Sequence, residues 1–300
     1  VVCSVLGKAS FPESHPHFAG VYMGAVGESQ PREILESADC VLSLGVIFSD
    51  VNLGFGTSRL ELQRCIDVQD RQIRIGHHRY EHTHIRDVVA LLSRSAPPRQ
   101  RRMPEIEAPR TETRALPDGP VRISDVIETL RRLDQRRYSF LADVGDAWFV
   151  GLELKTDVFL APGYYATMGF AVPGALGAGI ADSTRRPLAL VGDGAFRMTG
   201  TEIGTLVDQQ VPAIIVLLNN GCFTMLEALD RPRDFYQLRN WDYVQFSRAM
   251  GCEAERATTA AEFSAALARA EAASRCYLIE VLIDKNDRSA AMKRVQALRC

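Results

Sequence analysis

The segment Leu188–Phe223, LALVGDGAFRMTGTEIGTLVDQQVPAIIVLLNNGCF, restricts the fold more than any other stretch of the chain. It reads as a strand, a Gly-Asp-Gly turn, a helix, a second strand and an Asn-Asn pair. Two short, continuous apolar strands joined through a helix form a βαβ unit, which belongs in a parallel sheet covered on both faces. Ligands of such sheets sit beyond the carboxyl ends of the strands, and both polar clusters fall at such ends. The two clusters are therefore expected to meet at one site.

The residue types at that site suit a hard cation and a phosphate. Asp193 offers a carboxylate oxygen, and Gly192 and Gly194 let the backbone turn sharply and approach a ligand. Asn220 adds an amide oxygen and the backbone carbonyl of Cys222 a third. This oxygen-only set fits Mg2+ or Ca2+ bridging to phosphate oxygens. The amide groups after Gly194, those of Ala195 and Phe196, open a helix and favour the phosphates themselves.

The same rhythm extends to either side. Ser124 can cap a helix carrying Val126, Ile127, Leu130 and Leu133, followed by a strand over 140–144 and later strands over 187–191, 213–218 and 277–283. Helical patterns over 201–209 and 260–272 supply the crossovers. Strand-like runs over 40–47 and 72–75 alternate with helical stretches over 32–37 and 84–92. The chain is therefore expected to be α/β with two domains, each a parallel sheet flanked by helices. Residues 1–95 form a Rossmann-like domain, and 121–300 form the domain with the polar clusters. The segment 96–120, with Pro97, Pro98, Pro104, Pro109, Pro117 and Pro120 among charged residues, reads as a linker. The opening run VVCSVLGK, apolar and without methionine, reads as a strand of a domain that begins earlier.

Composition narrows the partners. A net charge of −2 gives no electrostatic reason to expect nucleic acid, and Arg99, Arg101 and Arg102 are followed closely by Glu105, Glu107 and Glu112. No apolar run has the length of a membrane-spanning helix and no signal peptide is recognisable, so a cytoplasmic protein is expected. The seven cysteines have no close pair in sequence and suggest neither a zinc site nor a disulfide framework.

The GDG and NN motifs, with 24 residues between Gly194 and Asn219, resemble the cofactor motif of thiamine-diphosphate enzymes. The likeness continues through FLAPGYYATMGFAVPGALGAGIA, in which Ala166 and Thr167 lead to Met168. That methionine matches the bulky residue that holds the cofactor bent. ADVGDAWF resembles the segment beside the diphosphate, which nominates Asp146. Phe223, Thr224 and Met225 follow the metal-binding turn and complete the cofactor-binding set. Within the family, SVLGKASFPESHPHFAGVYMG and ADCVLSLGVIFSDVN resemble the central domain of the pyruvate, indolepyruvate and phenylpyruvate decarboxylases. GDGAFRMTG with APGYYATMGF is most similar to the phenylpyruvate branch.

The resemblance implies thiamine diphosphate and Mg2+ as cofactors and non-oxidative decarboxylation of a 2-oxo acid as the reaction, in an oligomer. The glutamate that activates the cofactor then comes from a pyrimidine-binding domain or subunit, which this sequence does not contain. All six histidines precede residue 85, so the cofactor domain has no imidazole to move protons. His77 and His78 read as surface residues, distinct from the family's paired histidines. Pyruvate decarboxylases carry a catalytic glutamate where this chain has Leu226, and Glu227 is turned about 100° away on a helix. Asp50, in SDVN, is the candidate substitute carboxylate, with a turn-forming aspartate as the competing reading. An apolar residue at position 226 favours an aromatic or long aliphatic substrate, so phenylpyruvate or indolepyruvate is expected before pyruvate. Two alternatives remain: a carboligase or acetolactate-synthase-like enzyme, and a cofactor-binding subunit or fragment inactive alone. A nicotinamide-dependent dehydrogenase is disfavoured, since no G-x-G-x-x-G follows a first strand.

Overall fold

The computed structural model describes residues 1–95 and 118–298, and the chain divides into two compact units, Val1–Pro109 and Arg110–Cys300. The expected linker lies almost wholly outside the described residues; its last three, Asp118–Pro120, lead into the second unit, where Pro120 bridges to Thr259.

The first unit contains β1 (Cys3–Ser4), β2 (Val21–Tyr22), α1 (Ser29–Glu36), β3 (Val41–Leu44), β4 (Cys65–Gln69), β5 (Gln72–Ile75), β6 (His78–Glu81) and α2 (Ile85–Ser95). β1 and β2 pair in parallel. In the order β3-β4-β5-β6, only β3 and β4 are parallel, while β4, β5 and β6 form an antiparallel meander. The βαβ rhythm therefore gives way to hairpins after β4. The turn at Asp70–Arg71, with Arg71 at φ 65, is too short for a crossover. His77 and His78 lie in the next hairpin and are exposed, as expected of surface residues.

The second unit contains α3 (Ile123–Arg131), β7 (Tyr138–Ala142), α4 (Asp146–Leu152), β8 (Phe159–Leu160), α5 (Ala171–Ala181), β9 (Arg186–Gly192), α6 (Asp193–Thr199), α7 (Glu202–Asp208), β10 (Ile214–Asn219), α8 (Thr224–Leu229), α9 (Tyr243–Ala249), β11 (Glu253–Ala257), α10 (Ala260–Ala272), β12 (Tyr277–Leu282) and α11 (Ala290–Ala297). Its six strands run parallel in the order β11-β12-β10-β9-β7-β8. The chain turns back between β7 and β9, with β8 on one side of β7 and β9 on the other. That reversal creates the crevice in which such sheets hold ligands.

Why these residues form this core follows from their pattern. Leu188–Val191 and Ile214–Leu217 are fully buried, and each Leu, Ile or Val among them contributes about 1.5–3 kcal/mol over exposure. Helix α10 buries Phe263, Ala266, Leu267 and Ala270, spaced i, i+3, i+4, i+7, against the sheet. Thr259 and Glu262 cap it reciprocally, Glu262 N–H donating to Thr259 Oγ1 and Thr259 N–H to Glu262, each at 3.1 Å.

Helix α3 departs from the expectation that Ser124 caps it. The cap position is Arg122, whose N–H donates to Asp125 Oδ2 at 3.0 Å, and Ser124 lies exposed inside the first turn. The next N–H, of Ile123, goes to Asp287 Oδ2 at 2.7 Å, so a residue distant in sequence satisfies the end that a local serine was expected to serve. Leu133 lies beyond the helix. The cysteines bring another difference, since Cys252 and Cys276 precede neighbouring strands and their Sγ atoms are 3.3 Å apart. Both are buried free thiols. Among the described residues no helix is long and apolar enough to cross a membrane.

Candidate cofactor and metal site

The two polar clusters meet. β9 and β10 are neighbours in parallel register, with Leu218 opposite Gly192, so both chains leave the sheet at the same edge. Asp193, the first residue of α6, is buried, and its Oδ2 accepts the N–H of Gly221 at 3.1 Å. That single bond joins the GDG turn to the Asn-Asn turn. Burial pushes the Asp193 carboxyl up to about 6, against the N–H bonds of Gly194 and Gly221 and the charge of Arg197.

The glycines on either side do different work. A Cβ on Gly194 would run into the Phe223 ring, so the α6 turn packs directly on the residue that follows the Asn-Asn turn. A Cβ on Gly192 would meet nothing within 4 Å. Gly192 has φ −78 and ψ 155, an ordinary extended conformation, so conformational freedom does not require glycine here. The open space beyond it does fit a ligand approaching the backbone.

The Asn pair divides its tasks. Asn219 is buried and its Nδ2 donates to Glu280 Oε1 at 2.7 Å and Asn240 Oδ1 at 3.0 Å. Glu280, fully buried in β12, also accepts Arg256 Nε at 2.8 Å, so Asn219 ties β10 into a charged network inside the sheet. Asn220 faces the turn instead. Its Oδ1 accepts Cys222 N–H at 3.0 Å, and its Nδ2 donates to Thr224 Oγ1 at 2.6 Å. Thr224 Oγ1 in turn donates to the Cys222 carbonyl at 3.3 Å. The turn therefore holds an amide oxygen and a backbone carbonyl in fixed positions beside Asp193. The Asn220 oxygen keeps a second lone pair for a cation, while the Cys222 carbonyl also accepts Thr224 N–H at 2.9 Å and would take a cation in place of the longer hydroxyl bond.

No group of three or more His, Cys, Asp or Glu side chains is gathered for a metal among the described residues. The Asp193, Asn220 and Cys222 oxygens supply one carboxylate and two neutral donors. That set is incomplete for a bare divalent ion and suited to one sharing its shell with phosphate and water. A buried carboxylate held by N–H groups, without an ion pair among the described residues, is the observation that the donor set fits a cation.

A third strand end borders these turns. Asp143, directly after β7 and fully buried, accepts N–H groups of Val144 and Gly169 on Oδ1, both at 3.1 Å, and of Ala171 on Oδ2 at 2.9 Å. Burial raises its carboxyl above the usual range, and these N–H bonds act in the opposite direction. It fixes the loop bearing Ala166, Thr167 and Met168. Ala166 and Thr167 are exposed, Ala166 with φ 52, whereas Met168 is half-buried against the sheet core. The sequence reading missed Asp143 because it extended the strand over it. An aspartate directly after the apolar run Phe140–Ala142 was the available signal.

Asp146 heads α4, buried, with Oδ1 accepting Ser289 N–H at 3.1 Å and Oδ2 without a hydrogen-bond partner. Burial raises its carboxyl too. Gly145, at φ 85, lies beside α8, and a Cβ there would be 3.8 Å from Met225 Cβ. Ala195 and Phe196 are buried in α6. The expectation that Phe196 lines the site requires correction for its side chain: the ring packs edge-on against Tyr243 at 5.6 Å and Phe246 at 5.9 Å, in the core. Its backbone amide alone can serve a ligand.

Two expected residues remain, Asp50 and Leu226. Asp50 belongs to the first unit, exposed in the turn over 50–57, with Oδ1 accepting Val51 N–H at 2.8 Å and its carbonyl accepting Phe55 N–H at 2.7 Å. The turn is braced by buried Asn52, which accepts Val5 N–H at 3.0 Å and donates to the Ile47 carbonyl at 2.6 Å. Leu226 is 41% exposed on α8, and Glu227 beside it is paired with Arg288. Glu227 is thus not a displaced copy of a carboxylate at position 226.

The two units have known relatives. Residues 143–281 match the C-terminal TPP binding domain of thiamine pyrophosphate enzymes, and residues 1–94 match their central domain. An indole-3-pyruvate decarboxylase of Azospirillum brasilense is 31% identical over 98% of this chain and 55% of its own length. Pyruvate decarboxylase 1 of Pisum sativum is 30% identical over 94% of this chain and 50% of its own. The chain thus spans about half the length of these relatives. A thiamine diphosphate-dependent 4-hydroxybenzoylformate decarboxylase of Rhodococcus jostii superposes with a TM-score of 0.73 over 94% of this chain and 55% of that one, at 21% identity, which speaks to the fold alone. With its two units matching two domains of one enzyme class and its polar strand ends joined at Asp193, the chain belongs to the thiamine pyrophosphate enzymes.

Proposed function

We propose that the chain is the diphosphate- and Mg2+-holding part of an enzyme that decarboxylates an aromatic 2-oxo acid without oxidation. The Asp193–Gly221 bond carries this reading, because it brings a carboxylate, an amide oxygen and a carbonyl from two strand ends to one place. Asp193, Asn220 and the Cys222 carbonyl would hold Mg2+, while Gly194 opens the turn that presents the amides of Ala195 and Phe196 to the diphosphate. Gly192 leaves room for its approach, and Asp146, Phe223, Thr224 and Met225 border it. Ala166, Thr167 and Met168 stand where the cofactor's bend is supported, on a loop held by Asp143.

When bound, the cofactor supplies the carbon nucleophile and accepts the electron pair released with carbon dioxide. The chain's own part is to bind, orient and exclude water. Leu226 in place of a carboxylate makes the pocket apolar, which suits phenylpyruvate or indolepyruvate, and the indole-3-pyruvate decarboxylase relative supports that choice. Asp50 is the proposed proton carrier, on a turn that Asn52 keeps ordered. The activating glutamate is assigned to a pyrimidine-binding domain or subunit, in an oligomer.

Calorimetric titration with thiamine diphosphate tests the anchor. Binding is expected with Mg2+, and its loss is expected in EDTA and in Asp193→Asn. Metal-independent binding would defeat the assignment. In the assembled enzyme, carbon dioxide release should favour phenylpyruvate or indolepyruvate, and a clear preference for pyruvate would refute the aromatic pocket. Asp50→Asn retains the Val51 bond, so it should lower turnover by orders of magnitude without altering cofactor affinity; near-normal turnover removes Asp50 from the chemistry.

A further inference from the structure

Three consecutive residues after β12 grip four different helices. Asp287 Oδ2 accepts Ile123 N–H at the start of α3 at 2.7 Å. Arg288, buried, pairs through Nη2 with Glu227 of α8 and through Nη1 with Gln296 Oε1 of α11 at 2.9 Å. Ser289 N–H donates to Asp146 Oδ1 at the start of α4 at 3.1 Å, and its side chain accepts Met292 N–H at 3.1 Å to cap α11. One short turn therefore ties α3, α4, α8 and α11 together.

Two of those helices border the candidate site. Asp146 heads α4 and Thr224 heads α8, and Gly145 lies against Met225. α8 has only six residues, too few to hold a helical conformation without tertiary support. Its Glu227 and the facing Arg288 side chain are 16% and 9% exposed, so the charges lie largely out of water and removal of either disturbs the other's setting. Asp146 keeps one oxygen bound to the Ser289 turn and the other buried without a partner. A buried polar atom of this kind calls for a ligand or water to complete it.

We propose that Arg288 is a positioning residue for the cofactor site: through Glu227 it sets where α8, and with it the Asn220–Met225 turn, stands against Asp146. The proposal rests on the reading of that turn as the metal and diphosphate anchor. It also explains why Glu227 contributes no carboxylate to the pocket, since Arg288 holds it toward α11.

The test uses the whole chain with Arg288→Met, Glu227→Gln and the reversed pair Arg288→Glu/Glu227→Arg. Without cofactor, backbone amide exchange over 221–228 and 146–149 should quicken about tenfold in each single variant, leave β9 and β10 unchanged, and recover in the reversed pair. Affinity for thiamine diphosphate in Mg2+ should fall about tenfold in the singles and return in the reversed pair, as expected when a metal site's supporting shell is disturbed. Should Arg288→Met fail to fold, Glu227→Gln, which keeps the shape and a hydrogen bond, carries the same measurements. Unchanged exchange over 221–228, or a loss spread over the whole second unit that the reversed pair does not repair, overturns the proposal. If the unaltered chain does not bind the cofactor, the anchor reading fails, and the exchange measurement still decides what Arg288 positions.

Discussion

Gly192 and Gly194 lie two residues apart in one turn, yet substitution should separate them. Gly192→Ala places a methyl group in open space on backbone that alanine tolerates, so folding should be unchanged or slightly more stable, while affinity for thiamine diphosphate falls roughly tenfold or more, about 1.4 kcal/mol. Gly194→Ala instead forces the Phe223 ring aside, an overpacking cost of about 1–3 kcal/mol that thermal unfolding would register before any ligand is added. Equal effects of the two on stability would argue against the open approach at Gly192. Asp193 adds a pH dependence. Its folded carboxyl, raised to about 6, binds a proton that the unfolded chain has released above about 3.8, so its contribution falls as pH rises through that window. The difference is on the order of 3 kcal/mol, and it should vanish in Asp193→Asn when urea midpoints of the two proteins are compared between pH 4 and 7. A metal requires the ionised form, so Mg2+-dependent cofactor binding should strengthen over the same interval. The candidate oxygen donors were legible because spacing and strand ends report them. The separate task of Asn219 was not, since its partner Glu280 is 61 positions away.

At the scale of elements, β12 presents an anomaly in an otherwise apolar layer. Tyr277–Leu282 reads as a buried strand, and it is one, but Glu280 is its fully buried fourth residue. The charge is accommodated by Arg256 on the neighbouring β11 and by Asn219 on β10. The two ends of the ion pair differ in exposure, Arg256 at 39% and Glu280 at 0% of the side chain, and this predicts unequal costs. Arg256→Met strands a carboxylate with no access to water and should lose about 3–5 kcal/mol. Glu280→Gln keeps an acceptor for Asn219 and leaves a guanidinium that reaches solvent and Asp242, so about 1–2 kcal/mol is expected. Denaturant unfolding of both variants measures the difference, and a larger loss in Glu280→Gln would contradict the argument. Apolar run length located every strand of the second sheet longer than two residues except β11. Its sequence EAERA carries three charges and is held by pairing with β12. Local pattern also could not reveal the α3 cap from Asp287, or the Cys252–Cys276 contact across neighbouring strands, because each depends on register between distant segments.

At the scale of the molecule, the two units have unequal equipment for chemistry. The second gathers three strand ends around Asp193, yet contains no histidine, and its Glu227 is engaged by Arg288. Its buried carboxylates at Asp143, Asp146 and Asp193 accept backbone N–H bonds that fix loops and turns, which suits them to holding a ligand. A carboxylate that must exchange a proton with the cofactor's aminopyrimidine ring needs a side chain placed against that ring, and the proposed function assigns it to a domain outside this chain. Binding and activation should therefore separate. With Mg2+, the chain alone should bind thiamine diphosphate while the deuterium exchange of the cofactor's thiazolium C2 proton stays near the rate of the free cofactor. Addition of a pyrimidine-binding domain carrying the activating glutamate should accelerate that exchange without a matching gain in affinity for the diphosphate tail, and a glutamine in its place should abolish the acceleration. Rapid exchange on the isolated chain would show that it carries its own activating group, and the division of labour between anchor and activator would have to be abandoned.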